Sequence, residues 1–456
     1  MARRIPELTT PPLERAFLVG VDIYGQEDLL TLDDSLAELT LLADTAGLEV
    51  VGQATQKLDH PNPQTFVGPG KLDEIKALVE EFEADVVLFD DELSPRHLRN
   101  LEQLMGERVR VIDRTALILD IFAQHASTSE GALQVELAQC EYRLPRLTRA
   151  WTHLARQAGG GGGRSGSVGG VGLRGPGETQ LEVDRREIRR RIDHLKDELE
   201  KVRTHRQQYR SRRKQSRIPV VALVGYTNAG KSTLLNRLTS ADVYVADKLF
   251  ATLDPTTRRV ELPGGYPVLF TDTVGFIQKL PTALVAAFRA TLEEIAEADL
   301  LLHVVDITHP NVMAQAKAVQ LTLGEIEADH VPVVTVVNKI DRLTDPEKAR
   351  RNLEIFPTAE AISALTGEGI NDLLATVGEQ LYETYLSIKV YLPYQQGGLI
   401  SLFHESGQVE RLEHVPGGVL IKGKLPGRLL ARFKSFTRIP NSVAKPSDPN
   451  PDQAIL

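Results

Sequence analysis

Gly225-Tyr226-Thr227-Asn228-Ala229-Gly230-Lys231-Ser232 follows an apolar run, Ile218 to Val224, and leads into Thr233-Leu234-Leu235-Asn236-Arg237-Leu238. A strand, a glycine-rich turn and a helix thus arrive in the order a phosphate cradle requires. The spacing G-x-x-x-x-G-K-S lets successive backbone N–H groups converge on phosphate oxygens, lets Lys231 reach the β/γ charge and lets Ser232 ligate Mg²⁺. An ordinary tight turn has no need of the Lys-Ser pair.

Three later segments fall on the strand ends that a doubly wound nucleotide-binding domain predicts. Val268-Leu269-Phe270-Thr271 delivers Asp272-Thr273-Val274-Gly275, where a carboxylate can hold the Mg²⁺ water shell and a glycine amide can meet a γ-phosphate. Val333-Val334-Thr335-Val336-Val337 delivers Asn338-Lys339-Ile340-Asp341. The Asp341 carboxylate can accept from N1–H and the exocyclic amine of guanine together; adenine lacks that donor pair and would leave the acid unpaired. Ser363-Ala364-Leu365 would complete the pocket, with the Ala364 amide near guanine O6.

A hydroxyl that senses the γ-phosphate belongs between the P-loop helix and the Asp272 strand. Phe250-Ala251-Thr252-Leu253-Asp254 lies there and is similar to the F-T-T-L of related GTPases, which selects Thr252 for Mg²⁺, with Thr256 and Thr257 as competitors. Lys231, Thr252 and Gly275 are the catalytic candidates. Position 276 is Phe, where many small GTPases carry the glutamine that orients the attacking water. Slow intrinsic hydrolysis is therefore expected. Asn228 has two readings: a loop residue bonding its own backbone, or, as in several GTPases with an apolar residue after the same motif, a ligand for K⁺.

A chain of 456 residues is too long for one core. Its single cysteine, Cys140, excludes a disulfide framework and a cysteine-rich zinc site. No signal-peptide run, membrane span or prenylation cysteine is evident, so the expectation is a cytoplasmic monomer without a membrane anchor. His153, His194 and His205 lack metal-ligand spacing and read as surface residues. The net charge is −9, yet Glu178 to Arg217 alone sums to +6, and Arg143, Arg146, Arg149 and Arg156 lie upstream with no acid between them. Such a run is usually a solvated helix face; concentrated in one module of an acidic chain, it also suits a phosphate backbone.

Residues 1–114 alternate apolar runs with helical patterns, as a small α/β domain does. Within it Phe66-Val67-Gly68-Pro69-Gly70-Lys71 reads as a turn rather than a second phosphate loop, since Pro69 removes an amide and no Ser or Thr follows Lys71. Over 115–214, Leu133, Leu137, Cys140, Leu144 and Leu147 recur at 4-3-4-3 spacing, as do Ile188, Ile192, Leu195, Leu199 and Val202. The economical solution is an antiparallel helical hairpin with Pro145 bending or ending its first helix and a glycine-rich tip over 158–177. That tip is either a linker or, beside Arg156, Arg164 and Arg174, a probe for an anionic cleft. A GTPase domain over 215–385, a small α+β domain over 386–440 and a tail over 441–456 of disordered composition complete the expected α/β architecture.

Outside the generic GTPase motifs, Arg174-Gly175-Pro176-Gly177-Glu178-Thr179-Gln180-Leu181-Glu182 with Asp184-Arg185-Arg186, and Phe276-Ile277-Gln278-Lys279-Leu280-Pro281 continuing through Ala287 to Glu294, resemble the HflX GTPases, relatives of the Obg proteins. The resemblance covers about 16–435. It implies binding of GTP and GDP through Gly225 to Thr233, Asp272 to Gly275, Asn338, Lys339, Asp341 and Ser363 to Leu365. It also implies Mg²⁺ on Ser232 and Thr252, and indirectly on Asp272. The partner it implies is the ribosome, chiefly the large subunit and its RNA, with dissociation of stalled or idle ribosomes into subunits in the GTP state. Arg156, Arg164, Arg174, Arg185, Arg186, Arg189 and Arg190 become candidate RNA contacts. The competing readings are a large-subunit assembly GTPase and an RNA-remodelling factor that binds ATP in its N-terminal domain.

Overall fold

The computed structural model describes residues 13–25, 29–147, 180–216, 218–239, 249–250, 252–253, 255–263, 265–279, 289–343, 356, 359–382, 385–426 and 432–437. These pack as two units, the chain passing from the first to the second after Ile370 and the short segment 261–266 belonging to the second.

The first unit opens with strands β1 (Glu14–Ile23), β2 (Leu48–Leu58), β3 (Val86–Phe89) and β4 (Arg110–Asp113) in one parallel sheet of order β2-β1-β3-β4. Ala16 to Val19 and Val86 to Phe89 are buried without interruption, as parallel strands covered on both faces must be. Helices α1 (Leu32–Thr45), α2 (Pro69–Glu81), α3 (Pro95–Met105) and α4 (Arg114–His125) supply the cover. Three of the four have side-chain caps: Thr31 Oγ1 accepts from Asp34 N, Ser94 Oγ from His97 N, and Asp113 Oδ1 from Ala116 N. A break at 114, which the sequence favours, would cut ahead of α4. That helix buries Leu117, Ile118, Ile121 and Phe122 in one core with Leu36, Leu39 and Leu42 of α1 and with Val135, Ala138 and Tyr142 of α5, so it packs against both sides of that break. Its apolar positions crowd together without a heptad period, which hides its allegiance in the sequence.

Helix α5 (Ser129–Arg146) starts on Thr128, whose Oγ1 accepts from Gly131 N, and ends just after Pro145. Helix α6 (Gln180–Ser216) is its partner. The two predicted seams close on each other: Leu137, Ile192 and Leu195 are buried, with Leu133, Cys140, Leu144, Ile188 and Leu199 around them. Arg191–Glu136 and Lys196–Glu141 ion pairs flank the seam. Burial pushes the half-buried Cys140 thiol up, so it behaves as a small hydrophobe. The glycine-rich tip, with Arg156, Arg164 and Arg174, lies outside the described residues.

The GTPase sheet has six strands, β5 (Val220–Gly225), β6 (Thr256–Glu261), β7 (Pro267–Asp272), β8 (Leu300–Asp306), β9 (Val333–Asn338) and β10 (Glu360–Ala361), in the order β10-β9-β8-β5-β7-β6. Helices α7 (Lys231–Thr239), α8 (Arg289–Ala296) and α9 (Val312–Glu325) accompany it.

In the second unit, α10 (Ile370–Leu381) falls with the C-terminal residues and with the segment 261–266. Strands β11 (Tyr385–Pro393), β12 (Gln408–Val415) and β13 (Gly418–Pro426) form an antiparallel sheet of order β11-β13-β12. Helix α11 (Gly397–Ser406) contributes Phe403 to a core with Val390, Leu392, Ile421, Leu425 and Phe433. Among the described residues, no helix is long and apolar enough to cross a membrane.

Leu195 is fully buried where the two long helices meet. Leu195→Ala is expected to cost about 2–4 kcal/mol, seen as a lower urea midpoint for the loss of helical circular dichroism.

Candidate nucleotide site and its attachment to the N-terminal domain

Strand β5 lies between β8 and β7, with parallel neighbours on both sides, and releases the P-loop at its carboxyl end. Two glycines are there for lack of room. A Cβ on Gly225 would lie 2.3 Å from the Val304 carbonyl oxygen, and one on Gly230, at φ +95°, would lie 2.4 Å from Asn338 Nδ2. That Asn338 nitrogen donates to Ala229 O at 2.9 Å, while its Oδ1 accepts from Ala364 N at 3.0 Å. One side chain thus fastens the phosphate loop to the loop after β10. Lys339, itself at φ +68°, donates to Asn228 O and pairs with Asp306 at 2.7 Å. Ser363 Oγ donates to Asp341 Oδ1 at 2.6 Å, orienting an otherwise exposed carboxylate. Arg237 holds the Ala364 and Leu365 carbonyls from α7. Asn228 is exposed, at φ +59°, and Thr233 occupies the first turn of α7.

Lys231 is buried with its Nζ 3.1 Å from Gly225 O and 2.9 Å from Tyr226 O. Burial pushes its ammonium down to about 8, with Asp272 opposing. A buried cation held only by carbonyl dipoles and one carboxylate is a receptor for a polyanion. Ser232 Oγ lies 2.6 Å from both Thr252 Oγ1 and Asp272 Oδ2. Asp272 is fully buried; burial pushes its carboxyl up, against Lys231 and the two hydroxyls. Its Oδ1 has no hydrogen-bond partner. Two hydroxyls and a carboxylate with an unanswered buried oxygen are the hard donors that suit Mg²⁺. Thr256 and Thr257 instead belong to β6, where Thr257 Oγ1 meets Thr271 Oγ1. Thr273 Oγ1 donates to Leu223 O, and Val274 is buried. A Cβ on Gly275 would come within 2.9 Å of Thr227 Cα and 3.1 Å of Lys231 Nζ. Only glycine allows that loop so close.

Phe276 is buried, and its backbone pairs with the P-loop: Phe276 N donates to Gly225 O and Thr227 N to Phe276 O. Beyond it the chain meets the N-terminal domain, a connection the sequence motifs do not announce. Tyr226 Oη donates to Glu38 Oε1 at 2.5 Å and accepts from Gln278 N at 2.8 Å. Arg114, fully buried, pairs with Asp90 at 2.8 Å and with Glu38, and donates to Gln278 O. Lys279 pairs with Asp90 and Asp91 at 2.9 and 2.6 Å. Burial works against the Asp90 carboxylate, but Arg114 and Lys279 outweigh it and hold the group below its ordinary range. No local signal marks Glu38, Asp90 or Arg114; their partners are distant in the chain.

The Gly68–Lys71 loop begins α2, with Gly68 as its cap, Pro69 in its first turn and Lys71 paired with Glu74 at 2.8 Å. That is the turn reading. Of the arginines on α6, Arg186, Arg189 and Arg190 are exposed and Arg185 is partly so.

His303 on β8 is pushed down to about 4 by burial and by the charge of Lys231. The folded value lies below the unfolded one, so the unfolded chain takes up the proton first as pH falls. Its contribution is constant above about pH 6.5 and declines between there and pH 4, by roughly 3 kcal/mol at most. Urea unfolding at stepped pH should show that acid loss, and His303→Gln should shallow it.

Comparison with known proteins matches the chain in four successive regions. Residues 33–123 match the model for a GTP-binding GTPase N-terminal region, 125–213 that for a GTP-binding GTPase middle region, 220–339 that for a 50S ribosome-binding GTPase, and 349–429 that for an HflX C-terminal domain. A GTPase HflX of Caldanaerobacter subterraneus is 46% identical over 423 residues, covering 93% of this chain and 94% of its own. The GTPase HflX of Escherichia coli is 47% identical over 399 residues, 87% and 90% of the two chains. A GTP-binding protein of Sulfolobus solfataricus, solved with GDP, aligns at 24% identity and a TM-score of 0.40 over 81% of this chain and 99% of its own. The extent of these matches across all four regions places the chain in the HflX family of GTPases.

Proposed function

We propose that this GTPase binds the large ribosomal subunit and, in its GTP state, promotes dissociation of stalled or idle ribosomes into subunits. The observation that carries the reading is the two-faced character of α6. One side is sealed against α5 by Ile192 and Leu195, while Arg186, Arg189 and Arg190 are exposed. Such a helix is anchored by its apolar seam and carries exposed arginines of the kind that contact a phosphate backbone. The matching family model, named for 50S ribosome binding, supports the choice of RNA. With the tip of the helical module, these arginines are the proposed RNA contacts.

In this reading GTP is held by the P-loop amides and Lys231, and guanine is recognised by Asp341 with Ser363 to Leu365. Ser232, Thr252 and Asp272 would hold Mg²⁺, which supplies charge neutralisation at the β- and γ-phosphates. Thr252 and the Gly275 amide report the γ-phosphate; loss of that group releases both loops, and the module leaves its RNA. Phe276 offers no polar atom to an attacking water, so hydrolysis is slow until the ribosome orders the site.

Sucrose-gradient sedimentation of mature ribosomes with the protein and a non-hydrolysable GTP analogue tests this. Subunits should appear with the wild type and not with Ser232→Asn. Binding confined to immature particles would transfer the protein to subunit assembly, and intact ribosomes throughout would end the dissociation reading.

We also propose that Asn228 helps hold K⁺ beside the phosphates. Its left-handed backbone leaves the side chain exposed at the cradle, while Lys339 occupies its carbonyl. Turnover is expected to be several-fold faster in KCl than in NaCl at equal ionic strength, and equal rates would remove K⁺ from the mechanism.

A further inference from the structure

We propose that the N-terminal α/β domain is a built-in partner of both nucleotide-sensing loops, with Tyr226 and Lys279 as the positioning residues that tie the Phe276–Lys279 segment to it. Four contacts converge on this. Both backbone polar groups of Gln278 are answered by fixed side chains, its N–H by Tyr226 Oη at 2.8 Å and its carbonyl by Arg114 at 3.3 Å. Glu38 joins those two side chains by accepting from each. Lys279 adopts φ +53°, a conformation that lysine takes up only against steric cost, and its ammonium enters between Asp90 and Asp91. Phe250, two residues before Thr252 and at φ +56°, sets its ring edge-on to Phe122 of α4 at 4.7 Å.

The location strengthens the reading. In a sheet of order β2-β1-β3-β4 the topological switch point lies between β1 and β3, and the crevice beyond the carboxyl ends of those strands is where an open α/β sheet receives its ligand. Asp90 is the first residue after β3, and Lys279 of the GTPase domain is bound to it. The N-terminal domain therefore spends its ligand crevice on a loop of its own chain.

The gathered arrangement of Ser232, Thr252 and Asp272 coexists with these contacts. A nucleotide state that shifts 276–279 takes the Lys279 ammonium away from Asp90 and Asp91 and the Gln278 carbonyl away from Arg114, and the loss of partners in a buried setting is costly. The N-terminal domain thus adds stability selectively to the arrangement that GTP requires. By reciprocity, GTP strengthens the grip on the N-terminal domain. The grip also reaches the helical pair. Asp113, the residue before Arg114, accepts from Tyr142 Oη of α5 at 2.8 Å, and Arg146 of the same helix binds Leu93 O and Glu92.

The test uses the full chain without ribosomes, so its failure would leave the ribosome proposal standing. Fluorescent GDP and a fluorescent non-hydrolysable GTP analogue are titrated against wild type, Lys279→Met, Asp91→Asn and the Lys279→Met/Asp91→Asn pair. Preference for the GTP analogue over GDP should fall by about 5- to 30-fold in each single variant, with GDP affinity nearly unchanged. The pair should be no worse than Lys279→Met alone, because both changes remove one contact. Lys279→Arg should retain most of the preference. An unchanged preference, or an equal loss of both nucleotides, would overturn the proposal. Should Lys279→Met fail to fold, Asp91→Asn, which keeps the shape of the side chain and removes only its charge toward Lys279, decides the matter by the same ratio.

Discussion

Arg114 is the constraint around which the first unit is organised. Its guanidinium is completely enclosed, and it is held by Asp90, by Glu38 and by the carbonyl of Gln278. Removing such a charge from water costs several kcal/mol, which neighbours repay only when every partner is in place. The group therefore behaves as an all-or-none joint. It brings the end of β3, the middle of α1, the start of α4 and the loop after Gly275 to one point, with Lys279 adding a second cation beside Asp90 and Asp91. Such a joint contributes little net stability compared with an apolar core, but it specifies a single relative placement.

The nucleotide cradle obeys a different logic, that of close approach. Gly225, Gly230 and Gly275 stand where a Cβ would strike a carbonyl, an amide or the P-loop itself. Around them, Asn338, Lys339 and Ser363 spend their hydrogen bonds on aligning other parts of the site. Phe276 serves its backbone to the P-loop and its ring to the core. An apolar residue is explicable here as a structural bridge from the phosphate loop to the Arg114 joint.

The helical pair separates its tasks by face. Its seam is short, and ion pairs at Arg191 and Lys196 seal its edges. A chain of net charge −9 that concentrates +6 over 178–217 has polarised itself. The acidic bulk discourages indiscriminate binding to nucleic acid, while the basic stretch supplies the cations that the proposed RNA contacts require.

Much of this was legible in the residues alone. The P-loop, Asp272 to Gly275, Asn338 to Asp341 and Ser363 to Leu365 are short runs whose chemistry depends on spacing within a few residues, so their order and the sheet they require can be read directly. The heptads of α5 and α6 likewise announced a shared seam. The neighbours that α4 and α10 pack against were not legible, because a compact apolar cluster fits more than one surface until the tertiary structure supplies it. Least visible was the joint itself. Glu38, Asp90 and Arg114 are ordinary charged residues in ordinary segments, and Tyr226 reads as one more P-loop position. Only the tertiary structure brings residue 38 to 226 and residue 90 to 279, since a contact across such sequence distances leaves no periodicity, spacing or local composition to betray it.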